Sequence, residues 1–528
     1  MAEFYPILLG AARPKGGVQE VGNKAWNLML MAETGLPVPP AFVLPTAWCR
    51  RPLAANEPVL KDALAKGIAK LETATGLGFG ATHRPLLVSV RSGAAVSMPG
   101  MMETVLDVGL NEDTVEGLIR LTGNPRLAWD SYRRLVQGYA EVVANLPTAP
   151  FDSLVAAALE RSEAESEQEL DHRELRALTT AMLGCYRTLS GRVFPANPHE
   201  QLAAAVVAVF RSWSAPKAAS YRRLNDISDE LGTAVTVQTM VYGNAGGTSG
   251  AGVAFTRNPA TGARELYYDF QFNAQGQDVV AGRQKMLDNE RLRLVLPATW
   301  TRLNEICREL EVLFGDAQDF EFTIQSGVLF LLQTRRAKRT DWAALAIAVD
   351  MVAEGILMPA DALARLAGID LNSVVRTSFA LPVPDPLAVA QVAGMGVASG
   401  AVALDPDAVK RLTAAGTPAI LVRLETVTTD IEGMALAAGI LTGSGGRTSH
   451  AAVVARQLGK VCLVACPGLE VDLDHRQCRI GGTVLNEGDF LSLNGNTGAV
   501  HLGRLPQLTE RPERALAAIA AWRSAAAA

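Results

Sequence analysis

The sequence predicts an α/β protein of several units, in which two strand-and-helix regions are separated by a helical stretch and a proline-rich joint. Three observations carry that reading. Short apolar runs bounded by Gly, Pro and polar clusters recur over residues 15–110, 233–334 and 419–493, as strands do. From Glu112 to about Val209, apolar residues recur at helical spacing with few strand signals. Leu381-Pro-Val-Pro-Asp-Pro386 has the composition of a stiff, extended linker.

From the N-terminus, Lys24 to Thr34 carries a helical pattern that ends at Gly35-Leu-Pro, and Ala41 to Leu44 and Leu86 to Val90 read as strands. Amphipathic runs from Ala128 to Ala144 and from Ser166 to Leu189 predict long helices. Strand patterns return at Thr233–Tyr242, Ala251–Thr256, Leu266–Phe272, Asp319–Ile324 and Val328–Thr334. Ser326-Gly327 joins the last two as a hairpin turn. This delimits an α/β domain over 1–340 with a helical subdomain at about 112–209. Trp342 to Leu366 reads as one helix, so 341–386 is a helical and proline-rich linker. A second α/β domain spans 387–510, with strands at Ala419–Arg423, Gly439–Thr442, Val461–Ala465 and Phe490–Leu493, and an alanine-rich helical tail fills 511–528.

Composition narrows the function classes. With 528 residues, 49% hydrophobic and 20% charged, the chain has apolar surface for several cores. A net charge of -5 and a pI near 5.8 remove the electrostatic term that drives binding to nucleic acid, so no such partner is expected. Six cysteines are too few for a disulfide framework and lack paired metal-ligand spacing, which predicts reduced thiols. No apolar run reaches the roughly 18 residues needed to cross a bilayer, and Met1–Arg13 has no basic region ahead of its apolar stretch. A soluble, cytoplasmic protein without a membrane partner is expected.

Thr442-Gly-Ser-Gly-Gly-Arg-Thr-Ser-His450-Ala-Ala-Val-Val-Ala-Arg-Gln-Leu-Gly459 is the sharpest local signal: a strand end, a glycine-rich turn and a helix closed by glycine. Thr448 or Ser449 can cap that helix. His450 then sits in its first turn, where the dipole disfavours imidazolium, keeps the ring a neutral nucleophile and stabilises a phosphorylated ring. The structural alternative is a polar cap residue; the flanking glycines favour close approach of a phosphate.

In Asp319-Phe-Glu-Phe-Thr-Ile324, alternation sets Phe320, Phe322 and Ile324 on one face and Asp319 and Glu321 on the other. Two carboxylates on one face suit a hard cation such as Mg²⁺ that bridges phosphates; a solvated edge strand is the alternative. On the returning strand Gln333 and Arg335 share a face and offer donors for phosphate oxygens. Gly243-Asn-Ala-Gly-Gly-Thr-Ser-Gly-Ala-Gly252 reads as a phosphate-approach loop or as a flexible hairpin loop. Val88 to Met102 places Arg91 before a Gly- and Met-rich turn, which reads as a mobile lid or as methionine core filling.

Together, Leu87-Val-Ser-Val-Arg-Ser-Gly-Ala-Ala-Val-Ser-Met-Pro-Gly-Met-Met-Glu-Thr-Val, Thr122-Gly-Asn-Pro-Arg, Asp130-Ser-Tyr-Arg-Arg, Gly252-Val-Ala-Phe-Thr-Arg-Asn-Pro, Asn273-Ala-Gln-Gly and Thr448-Ser-His-Ala-Ala-Val-Val-Ala-Arg closely resemble the pyruvate, phosphate dikinase family over about residues 15–510. The resemblance implies an ATP-grasp nucleotide-binding domain with its helical subdomain, plus a swivelling phosphohistidine α/β domain. It implies that Lys24, Arg91, Arg134 and Arg335 contact ATP phosphates, that Asp319 and Glu321 hold Mg²⁺, and that Gln333 positions the transferring group. His450 is the implied acceptor, and the adenine pocket maps to Gln238, Met240 and Val241.

The chain also departs from the family pattern. Gly22-Asn23-Lys24-Ala25 stands for the usual Gly-Gly-Lys-Gly, implying a stiffer lysine loop; Gln277 and Asp269 stand where glutamates are common; Arg447 replaces a methionine, as in phosphoenolpyruvate synthase. The family's pyruvate-binding barrel has no counterpart before Ala528. The expected function is therefore phosphorylation of His450 from Mg-ATP with release of AMP. Phosphate or water serves as co-substrate, and a separate phosphoenolpyruvate (PEP)/pyruvate-binding barrel protein is a candidate partner. The competing expectations are transfer to another small molecule or protein, and a non-catalytic ATP-binding regulator.

Overall fold

A computed structural model describes residues 3–54, 57–96, 98, 101–276, 290–427, 430–446 and 449–527; the side chains of a few of these, His450 among them, fall outside the description. The protein is α/β, as predicted, and divides into two compact units. Met1–Ser249 with Thr323–Arg335 forms the first, and Gly250–Phe322 with Arg336–Ala528 the second.

The first unit is organised on a five-stranded sheet. Its elements are β1 (Tyr5–Ile7), α1 (Val18–Glu33), β2 (Ala41–Leu44), β3 (Val88–Gly93), β4 (Thr104–Val108), α2 (Pro125–Val142) and β5 (Ala234–Thr239), with strand order β1-β2-β5-β3-β4. Every pairing in that sheet is antiparallel. Helices 112–122, 149–161, 172–190 and 198–212 pack with α2 on a core that includes Leu135, Tyr139, Leu178, Met182 and Val206. Their starts are set by local chemistry: Asn111 and Asp171 each close a capping box, and Gly123 and Gly191 end the helices in the left-handed conformation. The Asp171 cap starts its helix at His172, so residues 166–171 are not helical as the apolar spacing had suggested. Met98 packs with Trp213 and Ala218, with Met101 and Met102 partly buried against them, so these methionines fill a core. Ser97, Pro99 and Gly100 of the same turn lie outside the described residues.

In the second unit β6 (Gly250–Phe255) pairs antiparallel with β7 (Tyr267–Phe272). On the other side of β6 runs β8 (Gln318–Gln325), whose Gln318 carbonyl accepts the Thr256 N–H at 2.9 Å. β9 (Val328–Arg336) follows β8, and the hairpin end Thr323–Arg335 counts with the first unit. Arg257, fully buried, is held by Glu311 at 2.9 Å and Glu354 at 3.0 Å, an ion-pair network that fastens the segment after β6 to helices 297–314 and 341–353. Residues 342–366 are not one helix: helices 341–353 and 359–365 are separated where Gly355 takes φ 71° and Pro359 starts the second. The tail forms helix 513–527, whose Ala515 and Ile519 are buried against those two helices.

The rest of the second unit is a parallel-centred sheet. β10 (Val397–Ala403), β11 (Ala419–Arg423), β12 (Gly439–Thr442) and β13 (Val461–Val464) pair in parallel order. Strand 490–494 flanks β10 and strand 391–394 flanks β13, both antiparallel. β10, β12 and β13 are buried along their whole length because clusters cover both faces of the sheet. Strand 376–379 pairs antiparallel with strand 507–510, so the chain entering this sheet region runs beside the chain leaving it. The six cysteines are free. No helix among the described residues is long and apolar enough to cross a membrane.

Candidate functional site

Within the first unit, segments far apart in sequence meet around the start of α1. The helix kinks at Gly22 (φ 76°, ψ 161°), where a Cβ would stand 1.9 Å from the Gly93 carbonyl oxygen. Glycine alone permits both the positive φ and that approach. The Asn23 N–H donates to the Ala94 carbonyl at 3.0 Å, and Lys24 Cβ lies 3.7 Å from where a Cβ on Gly93 would sit. Lys24 is thereby set beside the end of β3, the strand that carries Arg91. One helical turn further, buried Asn27 donates from Nδ2 to the Thr334 carbonyl of β9 at 2.9 Å. Arg91 donates from Nη1 to the Leu332 carbonyl at 3.4 Å. Those contacts bracket Gln333 and end beside Arg335, so the structure brings together the segments that carry Lys24, Arg91, Gln333 and Arg335, all four half-buried. Three cations and an amide donor make a locus suited to phosphate oxygens. Lys24 stands on a helix rather than on a stiffened loop; Ala25 is fully buried in the packing of α1.

Arg134 is placed in a second cluster of the same unit. Its Nε donates to Asp130 Oδ2 at 3.0 Å, and Asn244 Nδ2 reaches the same oxygen at 3.4 Å. Asn244 belongs to the 243–252 segment, which is tied rather than flexible over its first-unit part. The Tyr242 N–H donates to Gln325 Oε1, the Gly327 N–H to the Thr248 carbonyl and the Ser326 N–H to Ser249 Oγ, each at 2.9 Å. Burial opposes ionisation of Asp130, but the Arg134 and Arg133 guanidiniums prevail and bring its carboxyl down to about 2. Asp107, fully buried nearby, is pushed up to about 8 by burial, against the pull of Arg134 and with the help of the Asp130 charge.

The adenine-pocket expectation divides. The Gln238 side chain is buried on β5 and donates to the Pro39 carbonyl at 3.3 Å, a contact within the sheet. Met240, whose N–H donates to the Leu87 carbonyl at 2.9 Å, and Val241 follow the strand and remain partly exposed.

In the second unit Asp319 and Glu321 project from β8 opposite Phe320 and Phe322, which are buried. Asp319 is only 5% exposed and β8 is an interior strand, so the solvated-edge alternative does not hold. No group of three or more potential metal ligands occurs among the described residues. Two carboxylates nonetheless fit Mg²⁺, which is bound by one or two protein carboxylates together with substrate phosphates. Asp269 is buried on β7 and paired with Val253; Gln277 lies outside the described residues.

His450 opens α3 (His450–Gln457), in the loop-to-helix segment beyond the C-terminal end of β12. In parallel α/β sheets that edge is where ligands bind. Ser449 is the N-cap and accepts the Ala452 N–H at 3.5 Å; Arg447 and the alternative cap Thr448 lie outside the described residues. Ala451, Ala452 and Ala455 bury one side of α3, and Thr442 Oγ1 donates to the Ser444 carbonyl at 2.7 Å, closing the turn before it.

Sequence reasoning missed Asn27, Asp107, Asp130 and Asn244 as supporting residues. Asn27 had a signal, a polar residue at the buried spacing of Val21, Ala25, Leu28 and Ala32. Asp130 had the i,i+3 and i,i+4 spacing to Arg133 and Arg134 as a signal, whereas Asn244 and Asp107 declare themselves only through partners distant in sequence.

The fold falls in a class of proteins that join an ATP-binding domain to a mobile domain. Residues 57–297 match the pyruvate phosphate dikinase AMP/ATP-binding domain, and residues 416–498 the mobile domain of PEP-utilising enzymes. Over these domains the chain belongs to the pyruvate, phosphate dikinase family. It is 43% identical over 490 residues to pyruvate, phosphate dikinase of Clostridium symbiosum, covering 92% of this chain and 56% of that protein. Pyruvate, phosphate dikinase 2 of Zea mays is 43% identical over 492 residues, 92% of this chain and 56% of its own length. The Rhizobium meliloti protein is 40% identical over 523 residues, 94% and 58% respectively. The chain thus spans little more than half the length of these curated relatives.

Proposed function

We propose that this chain carries out the ATP-dependent half of a dikinase-type phosphotransfer: Mg-ATP phosphorylates His450 and leaves as AMP. Release of AMP requires two phosphoryl groups to be placed. One bonds to an imidazole nitrogen of His450 as its bond to AMP breaks; the other passes to phosphate, giving pyrophosphate, or to water, giving phosphate. The observation that carries this reading is the convergence of Lys24, Arg91, Gln333 and Arg335 in the first unit. The matches to an ATP-binding and a mobile domain support it.

Lys24, Arg91 and Arg335 neutralise phosphate charge, with Arg134 as a further phosphate contact, and Gln333 orients the transferring group. Met240 and Val241 border the adenine; Gln238 supports them from the sheet. Asp319 and Glu321 would hold Mg²⁺, which would supply charge neutralisation on phosphate oxygens. His450, neutral at the start of α3, is the nucleophile, and negative charge on its phosphorylated ring is stabilised by the helix N-terminus. The domain layout in this reading is an ATP-grasp domain over 1–340, a linker over 341–386, a swivelling phosphohistidine domain over 387–510 and a helical tail over 511–528. The onward acceptor is pyruvate on a PEP/pyruvate-binding barrel, whichever chain carries it, and the site of action is the cytoplasm.

Intact mass under conditions that preserve acid-labile phosphohistidine, with an AMP assay with and without phosphate, tests this. One added phosphoryl group, lost in His450→Ala, is expected, and the phosphate dependence distinguishes dikinase from synthase chemistry. Undiminished AMP formation in His450→Ala would overturn the proposal.

A further inference from the structure

We propose that Asp130 is a positioning residue of the nucleotide site: one carboxylate that both aims Arg134 and anchors the glycine-rich segment beginning at Gly243. This rests on the proposed function, in which Arg134 meets phosphate.

The geometry points both ways from Asp130, which is almost fully buried on α2. Oδ2 accepts from Arg134 Nε at 3.0 Å and from Asn244 Nδ2 at 3.4 Å, while Oδ1 accepts from Arg133 Nη2 at 3.0 Å. Arg133 has a second carboxylate, Glu167, at 2.6 Å, and also donates to Gln137 Oε1 at 3.2 Å. Arg133 therefore does not depend on Asp130 for charge compensation. Asn244, 4% exposed, fixes the entry to the glycine-rich segment, and the Thr248 and Ser249 contacts with the β8–β9 turn fix its first-unit exit. At the tip, a Cβ on Gly247 would meet nothing within 4 Å, so a ligand has room beside a backbone that is held at both ends. β9 runs on from that turn to Gln333 and Arg335, giving a continuous chain of contacts from Arg134 to the other phosphate-facing residues.

Asp107 supplies the diagnostic readout. It is fully buried with its backbone at φ 58°, and its Oδ1 has no hydrogen-bond partner among the described residues. The charged and titratable groups facing it are Arg134 and Asp130 of α2 and the Tyr242 phenol, itself pushed upward by burial and then by Asp107. At neutral pH Arg134 faces one negative charge, that of Asp130. As pH passes about 8, Asp107 ionises and adds a second, weakening the hold of Arg134 on phosphate.

The test measures the Kd for ATP by calorimetry and the KM for ATP from pH 6.5 to 9.5, in the wild type, Asp130→Asn, Asn244→Ala and Asp107→Asn, with thermal melts alongside. Asp130→Asn is expected to raise both constants about tenfold at pH 7, the effect of losing one hydrogen bond to a charged group, with kcat changed less. It also moves the alkaline limb to lower pH, because Asp107 loses the neighbouring charge that raised it; Asp107→Asn abolishes the limb. Asn244→Ala, which leaves the Asp130 carboxylate paired with Arg133 and Arg134, raises both constants about threefold, less than the usual effect of a hydrogen bond to a charged group because the bond lost is long at 3.4 Å. Melting lowered with Kd, KM and the limb unmoved in both variants means a structural ion pair only and overturns the inference. If Asp130→Asn does not fold, unchanged constants in Asn244→Ala overturn it. A wild type that binds ATP yet forms no AMP sinks the proposed function instead, and the Kd ratios still decide the role of Asp130.

Discussion

The first-unit cluster proposed to face phosphate draws on residues 24, 91, 333 and 335, and one of its fastening contacts, Asn27 to Thr334, spans 307 residues of sequence. The His450 segment is the opposite case, a single run from Thr442 to Gly459 in which strand, turn, cap and helix follow one another. The difference shows where each site's precision comes from. A local motif carries its geometry in its own turn and cap chemistry, whereas a dispersed cluster exists only once the sheet and α1 have packed. Damage to packing should therefore erase the dispersed cluster and spare the His450 segment.

The widest separation is expected from Gly22→Ala. The strained φ and the clash with the Gly93 carbonyl should cost the first unit about 3 kcal/mol. Displacing Lys24 should lower phosphorylation at least about 100-fold, since a small misplacement of a positioned group has that effect. Hydrogen exchange should find the His450 sheet unchanged; protection lost equally in both regions would refute the contrast.

Lys24→Ala and His450→Ala sharpen the comparison by chemistry alone. Lys24→Ala should reduce kcat/KM for ATP about 100-fold, as removal of one charge-stabilising donor does. His450→Ala should abolish phosphorylation while ATP binds with unchanged Kd, and a large loss of affinity in the latter would refute the separation of the two roles.

Asp107 offers a pH test of the first unit. Its folded carboxyl holds a proton up to about 8 that the unfolded chain releases near 3.8, so stability is lost as pH rises through that window. Asp107→Asn removes this loss. The variant should gain on the wild type between pH 4 and 8 by at least about 1 kcal/mol, the worth of one pKa unit, read from denaturant melts at each pH. A constant difference across that range would refute it.

The smallest effect belongs to Ser449→Ala. Its cap bond to the Ala452 N–H is long at 3.5 Å, so about 0.5 kcal/mol, the low end for a lost cap, is expected. Exchange at the first turn of α3 should speed up, with the Lys24 cluster unaffected.

Much of the fold was legible because local rules set it. Ala41–Leu44, Ala419–Arg423 and Gly439–Thr442 form strands at the predicted residues, since short, wholly buried apolar runs bounded by turn residues leave little choice of register. The 342–366 helix was misread because its apolar pattern continues past Gly355, and spacing alone does not weigh a left-handed glycine followed by Pro359. Strand 376–379 escaped notice because its partner is 507–510, and no local pattern announces a pairing so distant.

What the sequence by itself determined is the α/β class, most strand positions, the capped segment that begins α3 at His450 and the alternation that puts Asp319 and Glu321 opposite two phenylalanines. These depend on periodicity and on neighbours within a few residues. Only the tertiary structure decided that Lys24 rides on a kinked helix, that Gln238 turns its amide to Pro39, and that Asp130 serves Arg134 and Asn244 together. Each of those depends on a contact between segments far apart in the chain, Gly22 with Gly93, Gln238 with Pro39 and Asn244 with Asp130, where burial removes competing water and a single hydrogen bond or steric clash selects the arrangement.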